Sequence, residues 1–325
     1  MERRLGHGLC SLARPVARGA QLAGMNLLFP LLLALLPAHA GALDPDPSTW
    51  TVHSAQTERS TVAYWDLGVG DETVVLVHGL PTSKELWVGV APILAQDRRV
   101  LVVDLPDFGD SSDANRSTLI HKDRARAIDA VREAAGVEHI HLVAHDLGSS
   151  VAVDYMGLYG ERVERLVLMS SPVYPDFEEP AVVDLIRRPA IGIPLLNLMP
   201  GVLYRRTLHK GLVNDETLDR FQMKTYREDY RRVAGKRRMF DNLSWGVPET
   251  MFADYPRILS EIAVPTLLLH GVQDPFIPLE HAERLDADVP DSRLVLIEDG
   301  AHFLPLDVPG RVAAEVLNFL DEGGG

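Results

Sequence analysis

Residues 139–150 read His139-Ile-His-Leu-Val-Ala144-His-Asp146-Leu-Gly148-Ser-Ser150. The first half is a buried strand by composition, apolar and bounded by polar residues over His139–Ala144. A helix is expected from about Ser149 to Tyr159, so the chain must turn sharply from strand to helix in the few residues between. Such a turn crowds its own backbone and needs small side chains on both flanks of the residue it pushes outward. Ala144 and Gly148 are those small residues, and Asp146 is the one pushed out. Asp146 also suits an ordinary helix N-cap, and on these residues alone both readings stand.

The same strand-then-helix rhythm extends outward in both directions. Upstream lie two β-like stretches, Thr51–Ala55 and Thr61–Leu67, then the continuous apolar runs Thr73–Val77 and Arg99–Val103, with helices expected over Lys84–Ala95 and Leu119–Ala135. Downstream comes Val163–Met169. The rhythm then stops, and residues 173–260 are charged, punctuated by proline and helical in pattern, including Asp215–Asp229 and Arg231–Asn242. It resumes with Pro265–Leu269, Arg293–Ile297 and a last helix near Pro309–Leu320. Alternation of this kind implies an α/β fold, a mostly parallel sheet with helices on both faces. The core would comprise residues 41–172 and 261–325, with 173–260 inserted as a helical cap.

The 325 residues are 46% hydrophobic and 24% charged, which fits a packed protein and not a disordered one. A formal charge of −14 argues against a nucleic-acid partner, which a net basic face would serve. Cys10 is the single cysteine, so a chain lacking the first 40 residues has neither disulfides nor thiolate ligands. Those 40 residues read as a cleavable signal peptide. Arg3, Arg4, Arg14 and Arg18 precede the apolar run Asn26–Leu36, and Ala38-His-Ala40 is a small-x-small cleavage signature. Export is therefore expected, with no stable membrane span after cleavage; the alternative is an uncleaved leader resting on a membrane.

Two further constellations follow strand ends, where open α/β sheets place their sites. His270-Gly-Val-Gln-Asp274-Pro puts a carboxylate where it can orient an imidazole, and Glu298-Asp-Gly-Ala-His302 supplies the imidazole. Each alone is weak, Asp274 being ordinary turn chemistry beside proline. Their order along the chain, nucleophile, acid, histidine, is what joins them. His78-Gly-Leu80-Pro-Thr-Ser83, after the first buried strand, can aim the N–H of Leu80 beside that of Leu147 as an oxyanion hole. A tight turn would explain the same residues.

Taken together, His78–Pro81, Asp104-Leu-Pro-Asp-Phe-Gly-Asp-Ser111, His145–Gly148, His270–Asp274 and Gly300-Ala-His302 resemble the epoxide hydrolase and haloalkane dehalogenase branch of the α/β-hydrolase superfamily. The resemblance covers residues 50–322. It implies a nucleophile at Asp146, a base at His302, its partner at Asp274 and a lid over the pocket at 173–260. The chain departs from the dehalogenases at Leu147, usually a halide-binding Trp, and at Leu80, often Asn. It also lacks the Arg after the nucleophile of the fluoroacetate dehalogenase-like enzymes. Epoxide hydrolases need cap tyrosines to hold the ring oxygen, and Tyr174, Tyr204, Tyr226 and Tyr230 are the candidates. The expected reaction is thus epoxide opening of a small apolar substrate by water, with dehalogenation second. No cofactor or metal is required. The competing readings are a serine hydrolase using Ser149 or Ser150, and a non-catalytic binding protein on the same fold.

Overall fold

The computed structural model describes residues 46–111, 121–198, 200–213 and 246–322. The leader, Tyr226, Tyr230 and the helices expected over Asp215–Asp229 and Arg231–Asn242 lie outside the described residues.

Eight strands form one sheet: β1 (Val52–Gln56), β2 (Thr61–Leu67), β3 (Thr73–Val77), β4 (Arg99–Val103), β5 (Ile140–His145), β6 (Val163–Met169), β7 (Thr266–Gly271) and β8 (Ser292–Ile297). Their order is β1-β2-β4-β3-β5-β6-β7-β8. Only β2 runs against its neighbours; from β4 to β8 every pairing is parallel. The apolar runs of the sequence become strands because both sheet faces are covered. Alternation sends Val74 and Leu76 to one hydrophobic core, with Val100, Val102, Val143 and Val167. Val75 and Val77 go to the other, with Leu101, Val103, Leu142 and Leu166. Each such side chain, fully buried, contributes ~1.5–3 kcal/mol.

Helices α1 (His121–Ala134) and α2 (Leu147–Tyr159) cover the second face, where Ile128, Val131 and Val151 are buried. The first face receives α8 (Pro309–Asp321), through Val312, Val316 and Phe319. Between β6 and β7 the described cap helices are α3 (Ala181–Arg187), α4 (Pro189–Leu198) and α5 (Pro200–Lys210). Helix α6 (Tyr255–Ser260) leads into β7, and α7 (Leu279–Asp288) joins β7 to β8.

One expected element is different. Lys84–Ala95 is not a continuous helix but a 3₁₀ turn, Lys84–Trp87, followed by a single helical turn, Ala91–Leu94. Pro92 has no N–H to carry the ladder across, and the N–H of Lys84 is taken by Asp104 Oδ1 at 2.7 Å.

Candidate active site

Strand order assembles the site. After β3 the chain crosses to β4 on one side and returns to β5 on the other, so β3 and β5 are neighbours at a switch point. The loops leaving their C-terminal ends carry Leu80 and Asp146. At the far side β7 and β8 are paired, and the loops leaving them carry Asp274 and His302.

Asp146 adopts φ 52° and ψ −122°, a left-handed conformation that a non-glycine residue holds only under constraint from its surroundings. Its backbone is fixed by its own N–H, which donates to Met169 O at 3.0 Å, and by its carbonyl, which accepts from Ser149 N at 2.8 Å. The side chain makes no capping bond to α2, so the N-cap reading does not describe it. The small flank proves necessary: a Cβ on Gly148 would stand 2.6 Å from His78 O and 2.7 Å from Val77 O. Across the site, a Cβ on Gly79 would overlap the Asp146 side chain itself.

The three predicted polar residues meet. Asp146 Oδ1 accepts the Leu80 N–H at 2.7 Å, and Asp146 Oδ2 lies 3.5 Å from His302 Nε2. On the other edge of the ring, His302 Nδ1 donates to Asp274 Oδ2 at 2.9 Å. Asp274 is fixed in turn, its Oδ1 accepting the N–H groups of Phe276 (2.8 Å) and Ile277 (3.0 Å). Burial raises both carboxyls, but the facing His302 imidazole outweighs it and holds each below the usual carboxylate range; the Leu147 N–H helps at Asp146. Burial would lower His302, yet the charge of Asp274 and the proximity of Asp146 push it up to about 10. At neutral pH the resting site is therefore a carboxylate, an imidazolium and a carboxylate in a row.

Several supporting groups were assigned no role from the sequence. His145, the last residue of β5, meets the His302 carbonyl through Nε2 at 2.8 Å and stacks edge-on against the His302 ring at 4.9 Å. Phe276 and Phe303 flank the same ring at 5.1 and 4.8 Å. Asp307 ties the histidine loop to the cap: Oδ2 accepts Ala301 N at 3.0 Å and Oδ1 accepts Val213 N at 2.9 Å. Beside it the Phe303 N–H donates to Gly211 O at 3.1 Å. The loop that carries Leu80 has its own brace. His78 Nε2 accepts the Leu105 N–H at 3.1 Å, so Nδ1 carries the proton and donates to Gly79 O at 2.9 Å. Burial lowers His78 to about 4, keeping it neutral in that role. Asp104 and Asp110 clamp the buried Lys84 Nζ at 2.6 Å each.

A cavity of about 170 Å³ opens above the site. Asp146, His302, Leu80 and Leu147 stand in its wall with Phe177, Val183, Ile186, Leu203, Met251 and Phe276, so the lining is mostly apolar. The charged exceptions outside the triad are Glu179 and Arg187, paired bidentately with each other at 2.6 and 2.8 Å. Two of the four expected tyrosines are described, and neither is among the lining residues. Tyr174 is buried against α7, its hydroxyl donating to Asp288 at 2.8 Å and its ring lying 3.7 Å beneath the Arg284 guanidinium. Tyr204 faces the core while Leu203, one position earlier on α5, faces the cavity. The serine alternatives are occupied: Ser149 Oγ donates to the carbonyls of Ala144 and Met169 (3.2 and 3.3 Å), and Ser150 Oγ to that of Pro172 (2.5 Å).

Residues 72–309 match the family model described as the alpha/beta hydrolase fold. A 2-hydroxy-6-oxononadienedioate/2-hydroxy-6-oxononatrienedioate hydrolase of Klebsiella pneumoniae is 28% identical over 270 residues, 78% of this chain and 89% of the relative. Among solved structures, the epoxide hydrolase CorEH without ligand superposes with a TM-score of 0.73 at 20% identity, covering 83% of this chain and 98% of that one. A thermophilic esterase from Thermogutta terrifontis superposes with a TM-score of 0.69 at 22% identity, covering 84% and 98%. One scaffold thus bears at least three named chemistries, so the choice among them has to come from the side chains at the elbow and around the cavity.

Proposed function

Because the chain belongs to the alpha/beta hydrolase fold family, we propose that it is a hydrolase that attacks saturated carbon with the Asp146 carboxylate, opening epoxides of small apolar molecules to diols. The observation that carries this reading is the division of labour within that carboxylate. Oδ1 is engaged by the Leu80 N–H, leaving Oδ2, on the His302 side, to attack. Attack breaks the C–O bond of the ring and leaves an alkyl ester on Asp146. The released oxygen takes a proton from the cap, where Tyr226 and Tyr230, outside the described residues, are the candidate donors.

Esterification changes the histidine. The negative charge of Asp146 is one of the groups holding His302 at about 10, and the ester removes it. His302 then releases its proton to solvent and becomes the base that activates water. Water adds to the ester carbonyl carbon, charge develops on Oδ1 between the N–H groups of Leu80 and Leu147, and collapse frees the diol and the carboxylate. A hydroxyl nucleophile would need a base in its first step; a carboxylate needs one only in the second.

Two features favour epoxides over haloalkanes. The described lining holds no Trp, Asn or Gln side chain to grip a halide, and the departing oxygen of an epoxide stays tethered to the ester. The Klebsiella relative is named for hydrolysis of a dienedioate, a doubly carboxylated substrate, whereas the described lining here is mostly apolar.

The test is His302→Gln incubated separately with epoxides and haloalkanes, followed by mass spectrometry of the peptide containing Asp146. An adduct with the full mass of an epoxide supports the proposal. An alkyl adduct with halide release would make the chain a dehalogenase. Silence from both panels, in the variant and the wild type, would leave the fold standing and sink the proposed substrate class.

A further inference from the structure

The cap carries a second surface that this chemistry does not use. Helix α4 turns Ile191, Pro194 and Leu198 to solvent; spaced three and four apart, they occupy one face. Leu198 is 82% exposed, and Val202, at the start of α5, is 56% exposed. No charged residue occurs anywhere from 189 to 204. Past that point Arg205, Arg206 and Lys210 are exposed on α5, Arg205 Nε donating to His209 at 2.9 Å and Lys210 Nζ lying 5.0 Å from the Phe276 ring, while Leu203 and Thr207 line the cavity and Tyr204 and Leu208 are buried.

Charge distribution sharpens the picture. Residues 180–213 contain five Lys or Arg and a single acidic residue, Asp184, in a chain whose formal charge is −14. Asp184 is itself paired with Arg188 at 2.7 Å, so residues 180–213 hold no further acid for the α5 cations. A helix face meant only for water would carry charge along 191–198. An apolar face bordered by exposed cations suits the boundary between headgroups and acyl chains.

We infer that the face formed by α4 and the outer side of α5 docks on an anionic lipid surface. Ile191, Leu198 and Val202 enter the acyl boundary, and Arg205 and Arg206 lie among the headgroups. A nucleic acid would meet the cations and leave the apolar residues in water. Among the described residues no helix is long and apolar enough to cross a membrane, so the contact is peripheral. Helix α5 is shared between the two surfaces, which sets the cavity wall against the bilayer that would dissolve an apolar substrate. The inference is independent of the proposed reaction.

The experiment uses the full chain with Cys10→Ser and Leu198→Cys, the new thiol carrying a polarity-sensitive fluorophore. Vesicles of phosphatidylcholine alone are compared with vesicles half phosphatidylglycerol. The leader is common to every arm. The expected result is a blue shift with the anionic vesicles only, reversed at about 0.5 M salt, where the Debye length falls to ~4 Å. Replacing Arg205 and Arg206 with Gln should weaken partitioning by about 30-fold, at ~1 kcal/mol per cation. The same fluorophore at Val69→Cys, 83% exposed on the α/β core, should stay unshifted. No shift at position 198, an equal shift at position 69, or full binding by the arginine variant would overturn the inference. So would a shift that follows protein concentration without vesicles, since a second copy of the chain would then cover the face.

Discussion

Replacing Asp274 with Asn exchanges one oxygen for an NH₂ and changes almost no volume, yet the surrounding bonds dictate a large effect. Asp274 Oδ1 is held by the N–H groups of Phe276 and Ile277, both donors, so the amide oxygen of Asn must take that place. The NH₂ then falls where Oδ2 was, 2.9 Å from His302 Nδ1, and faces it as a donor. The imidazole can respond only by accepting at Nδ1 and carrying its proton on Nε2. That tautomer has no lone pair for water. The loss expected for a wrong tautomer is about 10⁴ in rate, or ~5.5 kcal/mol of barrier. It should fall on one half-reaction, because Asp146 and its Leu80 contact are untouched. Rapid quench and mass spectrometry of the Asp146 peptide should therefore find ester formation within about tenfold of wild type and ester hydrolysis about 10⁴ slower, with the ester accumulating. The reasoning fails if both half-reactions slow together, or if hydrolysis slows less than tenfold in a variant that melts normally.

Three other outcomes follow from the same geometry. His302 is raised on folding, so its stabilising contribution is fully present below its unfolded value near 6.5 and is lost as pH rises through about 10. Asp146 and Asp274 are lowered, so theirs is present above the ordinary carboxylate range and lost as pH falls through it. The melting-temperature gap between wild type and His302→Gln should narrow steadily from pH 6.5 to 10; a gap that widens would contradict the ion-pair description. Gly148→Ala should lower stability by ~1–3 kcal/mol, read by urea unfolding, since the new methyl meets two backbone carbonyls and no flexible side chain. Lys84→Met should cost about 3–5 kcal/mol by leaving Asp104 charged and buried; an unchanged midpoint would mean that the clamp is worth nothing net.

The sequence was most legible where a single physical constraint acted. Thr73–Val77, Arg99–Val103 and Val163–Met169 are strands to the residue, because short, mostly apolar runs bounded by turn residues suit strands of a covered parallel sheet. Asp146, Asp274 and His302 were readable for a similar reason, each standing just past such a run. Legibility failed where orientation decides. Tyr204 and Leu203 are adjacent, and the rotation of α5, set by tertiary packing, sends one to the core and the other to the cavity. Tyr174 was drawn away by an aspartate 114 positions further on, which no local pattern announces. The break in Lys84–Ala95 had a visible cause in Pro92, outweighed in the reading by the apolar residues around it. His145 carried a signal too, a polar residue closing a mostly apolar strand.

The bonds from Asp307 and Phe303 to residues 211–213 bear on how this scaffold can be rebuilt. They make the cap and the histidine loop one mechanical part, although some 90 residues separate them in the chain. A cap transplanted from a relative would arrive without its half of that joint, and the imidazole would lose its register against the elbow. The module to exchange in recombination is therefore discontinuous, the segment carrying residues 211–213 together with 300–307, and chimaeras that exchange that segment alone should fold with a misaligned imidazole.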